Sequence, residues 1–122
     1  MATVELTAAN FDQVTSADGI VLVDFWAAWC GPCRQFAPVY ERSSDKHSDI
    51  VFGKVDTDAE QELAMTYGIR SIPTLMAIRD GVIVFAQPGS LPDSMLEQLI
   101  EQVRALDMDE VRQKLAAQSR SS

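Results

Sequence analysis

The chain has two cysteines and one histidine in 122 residues, and 10 basic residues against 18 acidic ones. So few thiols and imidazoles speak against a structural zinc site, which takes about four nitrogen or sulfur ligands. Only a site shared between subunits would rescue that idea. The shortage of cations leaves a formal charge of −8 at pH 7, which disfavours nucleic acid and anionic membrane as partners. No apolar run approaches the roughly 20 residues that span a bilayer. The opening Met1-Ala2-Thr3-Val4-Glu5-Leu6 has neither a basic region nor a long apolar stretch. No secretory signal is visible there, and a cytoplasmic address is the expectation. No linker or internal repeat breaks the chain, so one domain is expected, burying roughly two thirds of the surface its unfolded form exposes.

Both cysteines fall in one tetrapeptide, Cys30-Gly31-Pro32-Cys33, at the end of an apolar run and the start of a predicted helix. Thiols three residues apart at a helix start are neighbours in space and can share a disulfide that opens and closes. A permanent staple is the weaker reading, because so small a loop yields little entropic stabilisation. Pro32 suits the first helical turn, and Gly31 relieves crowding there and lets another backbone approach the sulfur. Unpaired N–H groups and the positive end of the helix dipole favour a thiolate at Cys30, the species that attacks disulfides. A redox site follows.

Strands and helices alternate along the rest of the chain. A strand near Thr3–Leu6 precedes a helix carrying Phe11 and Val14. Ile20–Trp26 and Ile50–Val55 read as central strands. The helix after Cys30 holds Phe36, Ala37 and Tyr40 near one face, with a kink expected at Pro38. Asp58 is placed as the cap of a short helix with Gln61 in capping-box position, ended by Gly68. Thr74–Ile78 and Val82–Phe85 flank Asp80-Gly81, a strong hairpin signal. Pro92 opens a helix with a stripe of Leu96, Leu99, Ile100, Val103 and Leu106. The order β-α-β-α-β-α-β-β-α implies an α/β fold, a mixed sheet with helices on both faces. Phe11, Phe52 and Phe85 read as core, the five methionines as gap fillers, and His47 as solvated or facing a helix dipole. Asp107 and Glu110 suggest a further helix start, with Val111 and Leu115 as a small apolar face and a disordered end over Gln118–Ser122.

Phe25-Trp26-Ala27-Ala28-Trp29-Cys30-Gly31-Pro32-Cys33 resembles the active-site signature of thioredoxins. Val23-Asp24, Lys54-Val55-Asp56, Arg70-Ser71-Ile72-Pro73-Thr74 and Gly89 agree in order and spacing. The look is that of an actinobacterial member, over about Thr3 to Leu106. The resemblance implies the thioredoxin fold, a central five-stranded mixed sheet flanked by helices, over residues 1–106, with 107–122 as an extension. Arg34 departs from the lysine many members carry, and Pro88 from their usual aliphatic residue.

The resemblance also implies a protein-disulfide reductase. Cys30, exposed beside Trp29, would attack, and Cys33 beneath it would resolve the mixed disulfide. Asp24 is anomalous inside an apolar strand. Burial would raise its pKa and let it take the Cys33 proton, unless its carboxylate reaches solvent at an edge. Lys54 would be its charge partner, or else a surface lysine. The family holds the proline at Pro73 cis, which would free the Ile72 backbone to pair with an extended substrate. Trp29, Gly31, Pro32, Ile72, Pro73, Gly89 and Ser90 would form a flat landing surface. No bound cofactor is implied. Electrons would come from NADPH through thioredoxin reductase. Clients would include peroxiredoxins, methionine sulfoxide reductase and ribonucleotide reductase, and the chain would act as a monomer. Against this stand an oxidant or isomerase of the same fold, which the Gly-Pro pair argues against, and a redox-silent binding module, which would survive replacement of both cysteines by serine.

Overall fold

The structure, a computed structural model, describes residues 2–121. In chain order the elements are β1 (Thr3–Glu5), α1 (Phe11–Thr15), β2 (Ile20–Trp26), α2 (Gly31–Lys46), β3 (Val51–Asp56) and α3 (Gln61–Thr66). Then follow β4 (Thr74–Arg79), β5 (Val82–Pro88), α4 (Asp93–Ala105) and α5 (Met108–Ser121). The strands form one sheet in the order β1-β3-β2-β4-β5. β1, β3 and β2 run parallel, while β4 and β5 are antiparallel to their neighbours. The fold is the mixed five-stranded one expected, with helices on both faces.

The central place of β2 follows from its composition. Ile20, Val21, Leu22, Val23 and Phe25 are all buried, and successive side chains of a strand point to opposite faces. Ile20 and Leu22 join Phe36 and Tyr40 of α2 and Leu96, Ile100 and Val103 of α4 on one face. Val21, Val23 and Phe25 join Leu6, Phe11 and Met76 on the other, with Leu63 and Tyr67 packed against them. The Asp-Gly hairpin is present, with φ of +51° at Asp80 and +79° at Gly81, the double left-handed turn that β-hairpins favour. Arg79 closes the far end of the molecule. Its Nη1 donates to the carbonyls of Val103 and Leu106 at 2.8 and 2.6 Å, partners for the loose end of α4.

Several local expectations change. The N-cap of α3 is Glu60 rather than Asp58, because the Asp58 carboxylate is engaged elsewhere. His47 is the C-cap of α2, in keeping with the dipole-facing reading, and is only partly exposed. Its Nε2 meets Glu97 Oε1 at 2.6 Å, its Nδ1 lies 3.2 Å from Arg104 Nη2, and its ring stacks on Phe52. Phe85 is only partly buried against the core. Met76 and Met108 fill gaps, but Met65 and Met95 are exposed. Asp107 does start the last helix, its Oδ1 accepting the N–H of Asp109 and Glu110 at 3.0 and 3.2 Å. That helix continues through Ser121, past the point where the composition suggests disorder, and Ser122 lies outside the described residues.

Of the glycines, Gly53 of β3 is the one that has no room for a side chain. A Cβ there would overlap the Leu6 side chain and come within 3.3 Å of the Leu22 carbonyl, while the Gly53 carbonyl accepts the buried Tyr40 hydroxyl at 2.8 Å. Gly53→Ala should therefore destabilise the fold by about 1–3 kcal/mol, read as a lower urea midpoint at unchanged slope. A midpoint equal to the parent's would show that Leu6 can step aside at no cost.

Candidate functional site

Strand β2 ends at Trp26, the chain turns through Ala27-Ala28-Trp29, and Cys30 becomes the N-cap of α2. Cys30 has extended backbone angles, φ −87° and ψ 114°, and its sulfur accepts the Cys33 N–H at 3.2 Å. A sulfur thus stands where a serine or aspartate oxygen usually caps a helix. Both the hydrogen bond and the dipole of this 16-residue helix favour negative charge on that atom. Cys30 and Cys33 are joined as a disulfide. Pro32 lies in the first turn, where it removes no hydrogen bond the helix needs.

Two expectations at this turn are corrected. Cys30 is only 5% exposed and Cys33 2%, because Ala27 and Ile72 close over the pair. An incoming group therefore reaches a narrow window of sulfur. Gly31 does not relieve crowding. A Cβ there would meet nothing within 4 Å, so its contribution is the open space itself.

The Ile72–Pro73 peptide bond is cis. The Ile72 carbonyl oxygen lies 3.5 Å from Cys30 Sγ. The Pro73 carbonyl accepts the Gly89 N–H at 2.8 Å, which draws the start of the 89–92 loop to the site. Gly89 holds φ at +110°, a conformation that side chains rarely adopt. Trp29 is 67% exposed. Ile72, Pro73 and Gly89 are thus brought beside Cys30, with Trp29 and Gly31 flanking it in sequence. Ser90 follows Gly89 and is half-buried. Pro88, one of the departures, ends β5 opposite Thr74.

Asp24 is fully buried, and neither carboxylate oxygen has a hydrogen-bond partner among the described residues. The open-edge alternative for it therefore falls. Alternation along β2 puts it on the same face as Ile20 and Leu22, the face that α2 covers with Cys33, Phe36 and Tyr40. Burial pushes its pKa from 3.8 up to about 7, the Lys54 charge pulling weakly the other way. The Tyr40 hydroxyl is held well above its ordinary range, by its own burial first and by the Asp24 charge second. Lys54 pairs with Asp24 across the β2–β3 register. Its ammonium lies 4.7 Å from the Trp26 ring centroid, over a surface cavity of about 440 Å³ lined also by Thr3, Glu5 and Asp56. Lys54 is thus partly exposed where Asp24 is buried.

Two contacts escape sequence reasoning. The Trp29 indole N–H donates to Asp58 Oδ2 at 3.0 Å, and Arg34 Nη1 donates to the Ala28 carbonyl at 3.0 Å. The first spans 29 positions and no spacing rule announces it. The second joins the residue just after the signature to one inside it, but its acceptor is a backbone oxygen and carries no residue-type signal. Among the described residues no group of three or more His, Cys, Asp or Glu side chains is placed to hold a metal ion. Nor is any described helix long and apolar enough to cross a membrane.

Comparison with known proteins agrees with this geometry. The thioredoxin family model matches residues 2–102. A Streptomyces coelicolor thioredoxin is 59% identical over 96% of this chain and 87% of its own length. The thioredoxin of Bacillus subtilis is 44% identical over 82% of this chain and 96% of its own. Among solved structures, Malassezia sympodialis thioredoxin superposes with a TM-score of 0.75 at 35% identity, covering 84% of this chain and 93% of its own. Plasmodium falciparum thioredoxin gives 0.74 at 41% identity, with 80% and 96% covered. A capped and nearly buried Cys-Gly-Pro-Cys disulfide on this sheet, together with these matches, places the chain in the thioredoxin family, as a thiol–disulfide oxidoreductase that carries electrons on a dithiol.

Proposed function

We propose that this thioredoxin reduces disulfides in other proteins, with Cys30 as nucleophile and Cys33 as resolving thiol. The observation that carries the reading is the seat of the Cys30 sulfur, capping α2 through the Cys33 N–H and facing the Ile72 carbonyl. The Cys30 thiolate attacks one sulfur of a client disulfide. An S–S bond forms between them, the client bond breaks, and its other sulfur leaves as thiolate. Cys33, once deprotonated, attacks the Cys30 sulfur and expels the client's second thiolate. The client gains two electrons and the couple is left oxidised. The second step is fast because attacker and target are already held together.

Asp24 is the base for that step. It lies on the α2 face of the sheet with a carboxyl poised at about 7, the range in which a group both takes and returns a proton. Neither of its oxygens has a hydrogen-bond partner among the described residues in the disulfide form, so a water molecule would relay the proton. Lys54 tunes that carboxyl from across the register. Trp29, Gly31, Pro32, Ile72, Pro73, Gly89 and Ser90 receive the client, which pairs main chain to main chain with Ile72 in the manner of an added strand. Such recognition suits many clients, among them peroxiredoxins, methionine sulfoxide reductase and ribonucleotide reductase. Thioredoxin reductase would restore the dithiol with electrons from NADPH, in the cytoplasm, on a monomer over residues 1–106 that needs no bound cofactor.

The reduction potential of the couple, titrated against dithiothreitol with the fluorescence of Trp26 and Trp29 as readout, tests the direction of flow. It should fall well below the roughly −180 to −210 mV of an oxidising folding compartment. A value at or above that range would make the chain an oxidant or isomerase.

Asp24 generates a second test. Folded, its carboxyl keeps a proton to about pH 7, and unfolded only to about 3.8. The folded chain therefore binds more protons between those values, and stability falls as pH rises through that window. The full penalty, reached above the upper value, is about 4 kcal/mol at about 1.36 per pH unit. Asp24→Asn should be more stable than the parent at pH 8 by a margin that vanishes towards pH 4, measured by urea unfolding. Its disulfide reduction at pH 7 should slow by up to about 30-fold, the limit set by an ordinary cysteine's small thiolate fraction. A margin independent of pH, or an unchanged rate, would remove Asp24 from the proton path.

A further inference from the structure

We infer that Arg70 selects clients by charge, favouring disulfides flanked by an aspartate or glutamate. This deepens the reductase reading and rests on it. Arg70 precedes Ile72 by two positions, a span of at most about 7 Å of chain. Ile72 in turn has its carbonyl 3.5 Å from the Cys30 sulfur and packs against the couple. A client strand laid against Ile72 passes within reach of the Arg70 guanidinium.

What singles Arg70 out is that it is exposed and has no hydrogen bond or ion pair among the described residues. Arg34 donates to the Ala28 carbonyl, Arg42 to Asp93, Arg79 to the end of α4, Arg104 to Asp49 and Arg112 to Asp109. A chain of net charge −8 offers many carboxylates, yet this guanidinium, carried two positions before Ile72, has no partner among the described residues. An unpaired guanidinium presents a planar fork that matches a carboxylate. Asp58 is the opposite charge on this surface, but its carboxylate already accepts the Trp29 indole N–H. Selection is therefore by position along the client, not by the client's overall charge.

The test uses three disulfide peptides that differ only in Glu, Gln or Lys beside the cysteine, reduced in single turnover by the full dithiol chain at low salt. The Glu peptide should react roughly three-fold faster than the Lys peptide, the scale an exposed ion pair supplies. That ratio should fall towards one in Arg70→Gln, persist in Arg70→Lys, and invert in Arg70→Glu. It should also shrink at 0.5 M salt, where the screening length is only about 4 Å. Because each variant is scored by a ratio within one preparation, partial unfolding lowers every rate and leaves the ratio intact. An Arg70→Gln ratio equal to the parent's overturns the inference while leaving the reductase standing. Failure of the parent chain to reduce any of the three peptides would overturn both.

Discussion

The Cys33 N–H reaches the Cys30 sulfur at 3.2 Å, and where that bond sits is decided by a strand with no free edge. β2 is hydrogen-bonded to β3 on one side and to β4 on the other, from Val21 to Trp26 and from Ile20 to Phe25. A strand so held cannot shift register without turning its apolar residues away from both cores. Its end is therefore a fixed point, and the Ala27-Ala28-Trp29 turn delivers Cys30 from it to the start of α2. The same sheet brings the cis Ile72–Pro73 bond alongside, because β4 begins at Thr74, opposite Phe25. Gly89 arrives through its bond to Pro73. The sulfur couple is thus framed by the ends of β2, β4 and β5 and the start of α2.

Asp24 runs against the stabilising logic of that sheet. Burying a carboxylate without a hydrogen bond is costly, and both its oxygens lack partners among the described residues. The molecule meets the cost by shifting the proton equilibrium and not by pairing the charge. The carboxyl stays largely protonated up to about pH 7, where the apolar surroundings tolerate it. Lys54, with its ammonium over the Trp26 ring, offsets only part of the effect of burial. A strand optimised for stability alone would carry an aliphatic residue there.

The opposite end of the molecule shows the contrasting economy of ordinary structural polar groups. Glu97 takes the Ser43 hydroxyl and His47, Arg104 grips Asp49, and Arg79 holds three carbonyls at the end of α4. Each half-buried charge there has partners. Arg70, exposed two positions before Ile72 and without a partner among the described residues, stands out against this background.

Much was readable from residue order. The apolar run Ile20–Phe25, the Asp80-Gly81 turn, the stripe of Leu96, Leu99, Ile100 and Val103, and the Asp107 cap are signals carried by neighbouring residues along the chain, and each is realised in the structure. Cys30 and Cys33 were legible for the same reason, being neighbours along the chain. What spacing could not reach was anything set by two distant segments. Asp58 looked like a cap because a cap is the nearby use for an aspartate, yet Trp29 claimed it from 29 positions away. His47 looked solvated because its partners lie on α4. The shelter over Cys30 depends on Ile72, 42 positions downstream. Local order, periodicity and capping belong to the sequence, since they are paid in nearest-neighbour terms. Exposure, the depth of Asp24 and the freedom of Arg70 belong to the tertiary structure, since they depend on which surfaces the folded chain brings face to face.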